Sequence, residues 1–124
     1  MAAPLVIFLS SASWEARYQA TTLGLTAAAM GDPVHLALFF GALRAWVEGR
    51  FDEGAPAGAA ASGVPPLRES LDEGRRHLPL RVVACGTAVR LAGLVPETAA
   101  GALDGIVGLP DLWRLARAGR ALTL

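Results

Sequence analysis

Leu5-Val6-Ile7-Phe8-Leu9 is an apolar run without a single polar residue. A strand buried on both faces of a parallel sheet has this composition, because none of its side chains reaches water. Residues 10–13, Ser-Ser-Ala-Ser, follow as a hydroxyl-rich loop, in which Ser13 is placed to cap a helix. We therefore predict a buried strand that leads through a short loop into the first helix.

The rest of the chain continues the alternation of strands and helices. We predict a helix at 14–30, a strand at 34–40, helices at 41–49 and 65–77, a strand at 80–84, short helices at 87–92 and 96–103, a weak strand at 104–108, a helix from 109 and a strand at 120–124. Such alternation favours a parallel sheet with helices on both faces. Residues 1–124 are predicted to form one domain, a three-layer α/β/α sandwich around a mostly parallel five-stranded sheet.

Two segments depart from an ordinary composition. Residues 54–64 are rich in glycine and alanine and carry no charge, which indicates a flexible loop inside the domain. The first predicted helix is apolar over most of its circumference, with no charge between Arg17 and Asp32. Its apolar stripe consists of Ala16, Ala20, Leu23, Ala27 and Met30. A helix of this kind is usually buried on more than one side, so we predict that it joins the subunits of a homo-oligomer.

Composition and charge exclude several classes of protein. Eleven basic residues balance eleven acidic ones, which leaves no excess positive charge for nucleic-acid binding. One cysteine excludes an internal disulfide and a C-x-x-C pair, and His35 and His77 are too far apart in sequence to suggest a metal site. His35 is interpreted as a core or interface residue. No apolar run approaches the roughly 18 residues of a membrane span, and the run at 5–9 is too short for a signal peptide. We expect a cytoplasmic protein with no membrane partner, metal or cofactor.

Candidate site residues follow the strands, because ligands of parallel sheets gather at the carboxyl ends of the strands. The candidates for ligand binding are Ser10, Ser11, Gly41, Gly86 and Thr87. The candidate nucleophile is Cys85, between a strand and the start of a helix, whose N-terminus favours a thiolate. Arg90 adds positive charge if its side chain turns back. A buried, inert cysteine is the alternative interpretation, since free cysteine is often buried.

The layout resembles the DsrE/DsrF-like family over nearly the whole chain. The resemblance depends on Phe39-Phe40-Gly41, on Val82-Val83-Ala84-Cys85-Gly86-Thr87 and on Gly105-Ile106-Val107-Gly108-Leu109. It implies a compact α/β/α domain that forms dimers, trimers or hexamers. In the TusD and DsrE members, a cysteine after the middle strand accepts a persulfide and passes the sulfur on, and Cys85 is the matching position. Val82 stands where true peroxiredoxins have threonine, three residues before the cysteine, so peroxidase activity is not implied.

Three hypotheses follow. In the first, the protein is a sulfur carrier whose Cys85 receives sulfur from a donor protein and gives it to an acceptor protein. In the second, Ser10–Ser13, Gly41, Cys85 and Gly108 form a pocket for a small anion or a nucleotide, as in a binding module. In the third, the protein is a non-catalytic structural subunit of an oligomer.

Overall fold

The computed structural model describes residues 2–124. Its elements are β1 (Leu5–Leu9), α1 (Trp14–Ala29), β2 (Val34–Leu38), α2 (Phe40–Val47), α3 (Gly58–Ala61), α4 (Leu67–His77), β3 (Leu80–Ala84), α5 (Gly86–Leu91), α6 (Pro96–Ala102), β4 (Gly105–Ile106), α7 (Leu109–Ala118) and β5 (Arg120–Thr123). Ser13 caps α1 as predicted, because its hydroxyl accepts a hydrogen bond from the Ala16 amide at 3.2 Å.

The five strands form one sheet in the order β4-β3-β2-β1-β5. Every neighbouring pair is parallel, including β1 with β5, in which Leu5 pairs with Arg120 and Phe8 with Thr123. The predicted α/β domain with a five-stranded sheet is confirmed. The sheet is parallel throughout, which also gives the direction of the last strand.

The two faces of the sheet are covered by different helices. Side chains alternate along each strand, so Ile7 and Leu36 point to one face and Val6 and Ala37 to the other. The first face packs against α1, α2, α4, α5 and α6 in the larger core, where Trp46 is fully buried. The second face packs against α7 in a smaller core. The predicted three layers are therefore present.

Some boundaries differ from the prediction. β2 ends at Leu38, two residues early, because Phe40 turns the backbone directly into α2. The weak fourth strand spans two residues instead of the five predicted. The segment predicted as a loop at 54–64 contains α3, a single helical turn with no buried residue, and its run of alanines favours that turn.

α1 packs closely on the sheet through small side chains. Ala20, Gly24 and Ala28 are buried, and a Cβ added to Gly24 would lie 3.5 Å from the Ile7 side chain. Leu23 and Met30 belong to the predicted apolar stripe, but they are 40% and 80% exposed. The helix therefore buries its smallest residues and leaves larger apolar ones on the surface.

Arg17 is a buried cation on α1, 3% exposed. Its guanidinium donates hydrogen bonds to backbone carbonyls, those of Ala12, Arg50, Phe51 and Glu53. Burial lowers the pKa of this guanidinium, and the nearby carboxylates of Glu53 and Asp52 oppose that effect. A guanidinium keeps its proton in proteins, so these carbonyls solvate a buried charge. Arg17 thereby holds the chain after α2 against α1.

Asp52 joins the chain segment after α2 to the start of α4. Its carboxylate accepts hydrogen bonds from the backbone amides of Leu67 and Arg68, the first two residues of α4. These amides have no partner within the helix, and a negative charge beside them also interacts favourably with the helix dipole. Asp52 therefore caps α4 from a distant position in sequence.

An ion-pair network joins α4 to the β4 edge of the sheet. Arg75 donates two hydrogen bonds of 2.8 Å to Asp104 and one of 2.7 Å to Asp72. The Asp104 carboxylate also accepts from the Val82 amide at 2.8 Å. One aspartate therefore ties together α4, β3 and the start of β4.

His35 lies on the α7 face of the sheet and is half-buried. Its Nδ1 atom is buried and has no hydrogen-bond partner among residues 2–124. Burial, and then the charge of Arg81, lower the pKa of the imidazole. His35 is thus a partly buried sheet residue whose neutral form is favoured.

No helix within residues 2–124 combines the length and the apolar character that crossing a membrane requires.

Candidate functional site

A cavity of about 530 Å³ opens at the carboxyl end of the sheet. It lies between the turn from β2 into α2, the start of α5 and the start of α7. Its lining consists of Phe39, Phe40, Cys85, Gly86, Thr87, Ala88, Arg90, Leu91, Gly108, Leu109 and Pro110. Among these residues Arg90 carries the only charge, so the cavity is apolar with one cation at its wall.

Cys85 lies between β3 and α5, as predicted, and is the N-cap residue of α5. Its Sγ atom accepts a hydrogen bond of 3.3 Å from the backbone amide of Ala88. Cys85 is 8% exposed, and it reaches the solvent through the cavity that it lines. The sulfur is thus sheltered but faces an open space, and the Ala88 amide remains available to a sulfur anion.

Arg90 turns back over the first turn of α5. Its Nη2 atom donates a hydrogen bond of 3.1 Å to the hydroxyl of Thr87. A Cβ added to Gly86 would lie 3.6 Å from Nη1 of Arg90, so the guanidinium covers the backbone beside Cys85. The expectation that Arg90 points back is therefore met, and Gly86 and Thr87 line the cavity with it.

Three predicted site residues do not line this cavity. The Ser10 hydroxyl and amide donate to the carbonyl of Leu124, and the Ser11 hydroxyl bonds to that of Ser13. Gly41 lies against Ala12, where an added Cβ would come within 2.8 Å of the Ala12 side chain. Ser10, Ser11 and Gly41 thus make structural contacts with the rest of the chain, and an anion pocket here would have to use other residues.

Phe40 is a cavity residue that was not predicted. Its backbone has φ of +47°, a conformation that a bulky side chain rarely adopts, and the residue is 48% exposed. Strain of this kind is often found at functional sites, where the surrounding fold maintains it. A sequence signal did exist, since two aromatic residues, Phe39 and Phe40, stand directly between an apolar strand and a helix.

Exposed apolar side chains surround the entrance. Phe40, Leu91 and Leu109 line the cavity and are each about half exposed or more. Ile106 is 42% exposed and lies 3.8 Å from the position of a Cβ added to Gly86. Contiguous apolar surface is typical of sites that contact another molecule.

Cys85 supplies the only sulfur atom in the lining of this cavity. No group of His, Cys, Asp or Glu residues with metal-binding geometry occurs in the part of the chain that the structure describes. No histidine or carboxylate belongs to the cavity lining, so no side chain there can act as a general base for Cys85. Cys85 would therefore react as a thiolate with a group that is already a good electrophile, such as a sulfane sulfur.

Comparison of the chain with models of known protein families and with curated proteins finds no match. The resemblance to the DsrE/DsrF-like family stays a prediction.

Proposed function

We propose that this protein is a sulfur carrier in which Cys85 holds a persulfide. The observation that carries the proposal is the position of the Cys85 sulfur, which lies in a cavity with one amide donor and one cation nearby. The Ala88 amide donates to Sγ, and Arg90 covers the adjacent backbone. The thiolate is the reactive form of a cysteine, and the amide of Ala88 already donates to this sulfur.

The proposed reaction has two steps of thiol exchange. The Cys85 thiolate attacks the outer sulfur of a donor persulfide, so a new S–S bond forms on Cys85 as the donor S–S bond breaks. The donor leaves as a thiolate, which takes up a proton from water. An acceptor thiolate then attacks the outer sulfur on Cys85 and releases the Cys85 thiolate. The sulfur atom moves without a net oxidant or reductant, and no cofactor is needed.

The partners of such a carrier are a donor protein and an acceptor protein. The apolar rim at Phe40, Leu91 and Leu109 offers a surface on which each can dock in turn. Because Cys85 is 8% exposed, a partner has to insert its reactive sulfur into the cavity. Thiol exchange requires reduced thiols, so we assign the protein to the cytoplasm.

The direct test is the intact mass of the purified protein after exposure to polysulfide. We expect wild type to gain one sulfur atom and to lose it again on treatment with a reductant. Cys85→Ser should gain none. The proposal would be wrong if wild type forms no adduct and Cys85 also fails to react with an alkylating reagent in the native protein.

A charge variant tests the role assigned to Arg90. Arg90→Ala should slow alkylation of Cys85 by iodoacetamide by about twofold to fivefold, which corresponds to the modest contribution of an exposed charge. Arg114→Ala is the matched control, because Arg114 is an exposed arginine of α7 that pairs with Asp111. Equal alkylation rates for Arg90→Ala and Arg114→Ala would show that Arg90 does not contribute to the reactivity of Cys85.

A further inference from the structure

The cavity that Cys85 lines, the Cys85 cavity, is larger than a single reacting sulfur atom requires. Its volume of about 530 Å³ falls within the roughly 300–1,000 Å³ typical of small-molecule sites. Its wall includes Phe40, Leu91 and Leu109, each about half exposed or more. The cavity therefore has room, beside the reacting sulfur, for an organic group that covers these apolar side chains and removes them from water.

Arg90 is the only charged residue in the lining, and it is exposed. Its guanidinium forms no ion pair among residues 2–124, and one of its N–H groups donates to the Thr87 hydroxyl. The carboxylate of Asp111, which follows the lining residue Pro110, pairs with Arg114 instead. A guanidinium has five N–H groups in a planar fork, which suits an anion with two oxygens side by side. The cavity is therefore suited to a ligand with one negative charge.

The lining offers no acid that could protonate a departing group. It contains no histidine or carboxyl group, the Arg90 guanidinium keeps its proton in proteins, and the Thr87 hydroxyl is a very weak acid. A group that leaves the reacting sulfur therefore departs as an anion, and a less basic anion leaves faster. The oxyanions sulfite and sulfinate are much weaker bases than an alkyl thiolate. The cavity thus favours a sulfur donor that releases one of these oxyanions.

Two classes of sulfur donor release such an oxyanion, inorganic thiosulfate and the organic thiosulfonates. Thiosulfate has two negative charges and no apolar part, so in this cavity it would meet a single cation and leave the apolar wall uncovered. An organic thiosulfonate, R–SO₂–S⁻, has one negative charge, two sulfonyl oxygens and an apolar R group when R is alkyl or aryl. Its oxygens match the donors of Arg90, and its R group matches the apolar wall.

We propose that the Cys85 cavity accepts sulfur from an organic thiosulfonate with an apolar R group. This inference rests on the proposed function and adds a small-molecule donor to it. The Cys85 thiolate attacks the outer sulfur of R–SO₂–S⁻, and an S–S bond forms on Cys85 as the bond from the outer sulfur to the sulfonyl sulfur breaks. The electron pair of the broken bond stays with the sulfonyl group, which leaves as the sulfinate R–SO₂⁻. Two anions react and two anions result, so the step needs no proton, oxidant or reductant.

The test compares benzenethiosulfonate, inorganic thiosulfate and polysulfide as sulfur donors to the purified protein. We expect benzenethiosulfonate to add one sulfur atom to wild type, measured by intact mass, and to release one equivalent of benzenesulfinate. It should add none to Cys85→Ser. Each rate is divided by the rate of glutathione with the same donor, which removes differences in intrinsic reactivity. On this scale benzenethiosulfonate should exceed thiosulfate by at least about tenfold, because burying an aromatic ring is worth at least that factor.

Arg90→Ala tests the contact with the sulfonyl oxygens. The variant should slow transfer from benzenethiosulfonate by about tenfold or more, because charge-assisted hydrogen bonds are lost. The neutral reagent iodoacetamide lacks these oxygens, and its reaction should be slowed by only about twofold to fivefold. Arg114→Ala is the matched control, and it should accept sulfur from benzenethiosulfonate within about twofold of wild type, since its ion pair is exposed.

The outcomes separate the thiosulfonate donor from the carrier function. If polysulfide loads Cys85 but benzenethiosulfonate does not, the thiosulfonate donor is wrong and the carrier function stands. The same conclusion follows if thiosulfate matches benzenethiosulfonate on the glutathione scale, or if Arg90→Ala slows benzenethiosulfonate no more than iodoacetamide. If no donor loads Cys85 and iodoacetamide also fails to react, both proposals are wrong.

Discussion

At the scale of single residues, the backbone of Phe40 is the clearest departure from ordinary geometry. Among the non-glycine residues that the structure describes, Phe40 alone has a positive φ. A left-handed conformation costs a residue with a Cβ roughly 1–2 kcal/mol, and glycine avoids that cost. The turn from β2 into α2 is therefore strained at the residue that lines the Cys85 cavity.

Substitution of Phe40 by glycine and by alanine tests this strain. In an ordinary helix, glycine is about 1 kcal/mol less stable than alanine. At position 40 we expect the reverse, with Phe40→Gly at least as stable as Phe40→Ala, because alanine retains the left-handed penalty. Urea denaturation of the two variants measures the difference. The ordinary helical order, with alanine more stable by about 1 kcal/mol, would show that Phe40 is not strained.

The residues that follow the predicted strands included some of the residues of the candidate site but not all of them. The position of Cys85 between a strand and a helix followed from an apolar run next to a short helical segment. Ser10, Ser11 and Gly41 also follow strands, yet their contacts are with Leu124, Ser13 and Ala12. Sequence indicates which strand ends meet, but it does not show which residues there already have contacts elsewhere in the chain.

At the scale of elements, Asp104 joins parts of the chain that are distant in sequence. Burial opposes ionisation of this carboxyl, but hydrogen bonds from Arg75 and from the Val82 amide outweigh it, so the pKa of Asp104 lies below its usual value. The folded state therefore holds the charged form more strongly than the unfolded chain does. The resulting stability is fully present above the unfolded pKa and is lost as pH falls through the folded one.

Asp104→Asn should reveal that contribution. We expect the variant to be less stable than wild type at pH 7 by about 1–2 kcal/mol, because a charged partner of Arg75 is lost. The difference in the free energy of unfolding between the two proteins should narrow as the solution is acidified, because Asp104 of wild type then becomes protonated. Urea denaturation over a pH series provides the measurement. Asp111→Asn is the control, since it breaks an exposed ion pair with Arg114 and should change stability by less than about 0.5 kcal/mol. A stability difference between wild type and Asp104→Asn that does not change with pH would contradict the role given to Asp104.

An apolar pattern predicts that a helix forms, but it predicts less well which side of that helix packs on the sheet. The apolar stripe from Ala16 to Met30 correctly predicted α1. The face that packs on the sheet was then selected by size, because Ala20, Gly24 and Ala28 allow the closest approach. The burial of Arg17 could not be predicted either, since three of its carbonyl partners lie more than 30 positions away.

At the scale of the whole molecule, one edge of the sheet is unusually open. All four residues of β5 are exposed, and the strand lies at the end of the sheet. Beside it, Leu23, Met30 and Leu122 are exposed around a cleft of about 290 Å³. An open edge with adjoining apolar surface favours pairing with another chain. We expect a second copy of this protein to cover it, which would account for the apolar surface of α1.

Light scattering coupled to size exclusion tests that assembly. Wild type should elute as a homo-oligomer, and Met30→Glu should shift it toward the monomer, because the variant places a charge in the interface. Trp113→Ser is the matched control, since Trp113 is an exposed apolar residue on α7. A monomeric wild type at all concentrations would refute the expectation, as would equal dissociation by both variants.

The pairing of β1 with β5 has a consequence for biosynthesis. β1 is synthesised before β5, one of its two neighbours in the sheet, and before α7, the helix that covers its second face. A polypeptide emerging from the ribosome therefore exposes one edge of β1 and the side chains of Val6 and Phe8 until α7 and β5 have been synthesised. Parallel pairing across so long a separation also forms slowly. We expect the incomplete nascent chain to be more prone to aggregation than the folded protein, because it exposes this strand edge.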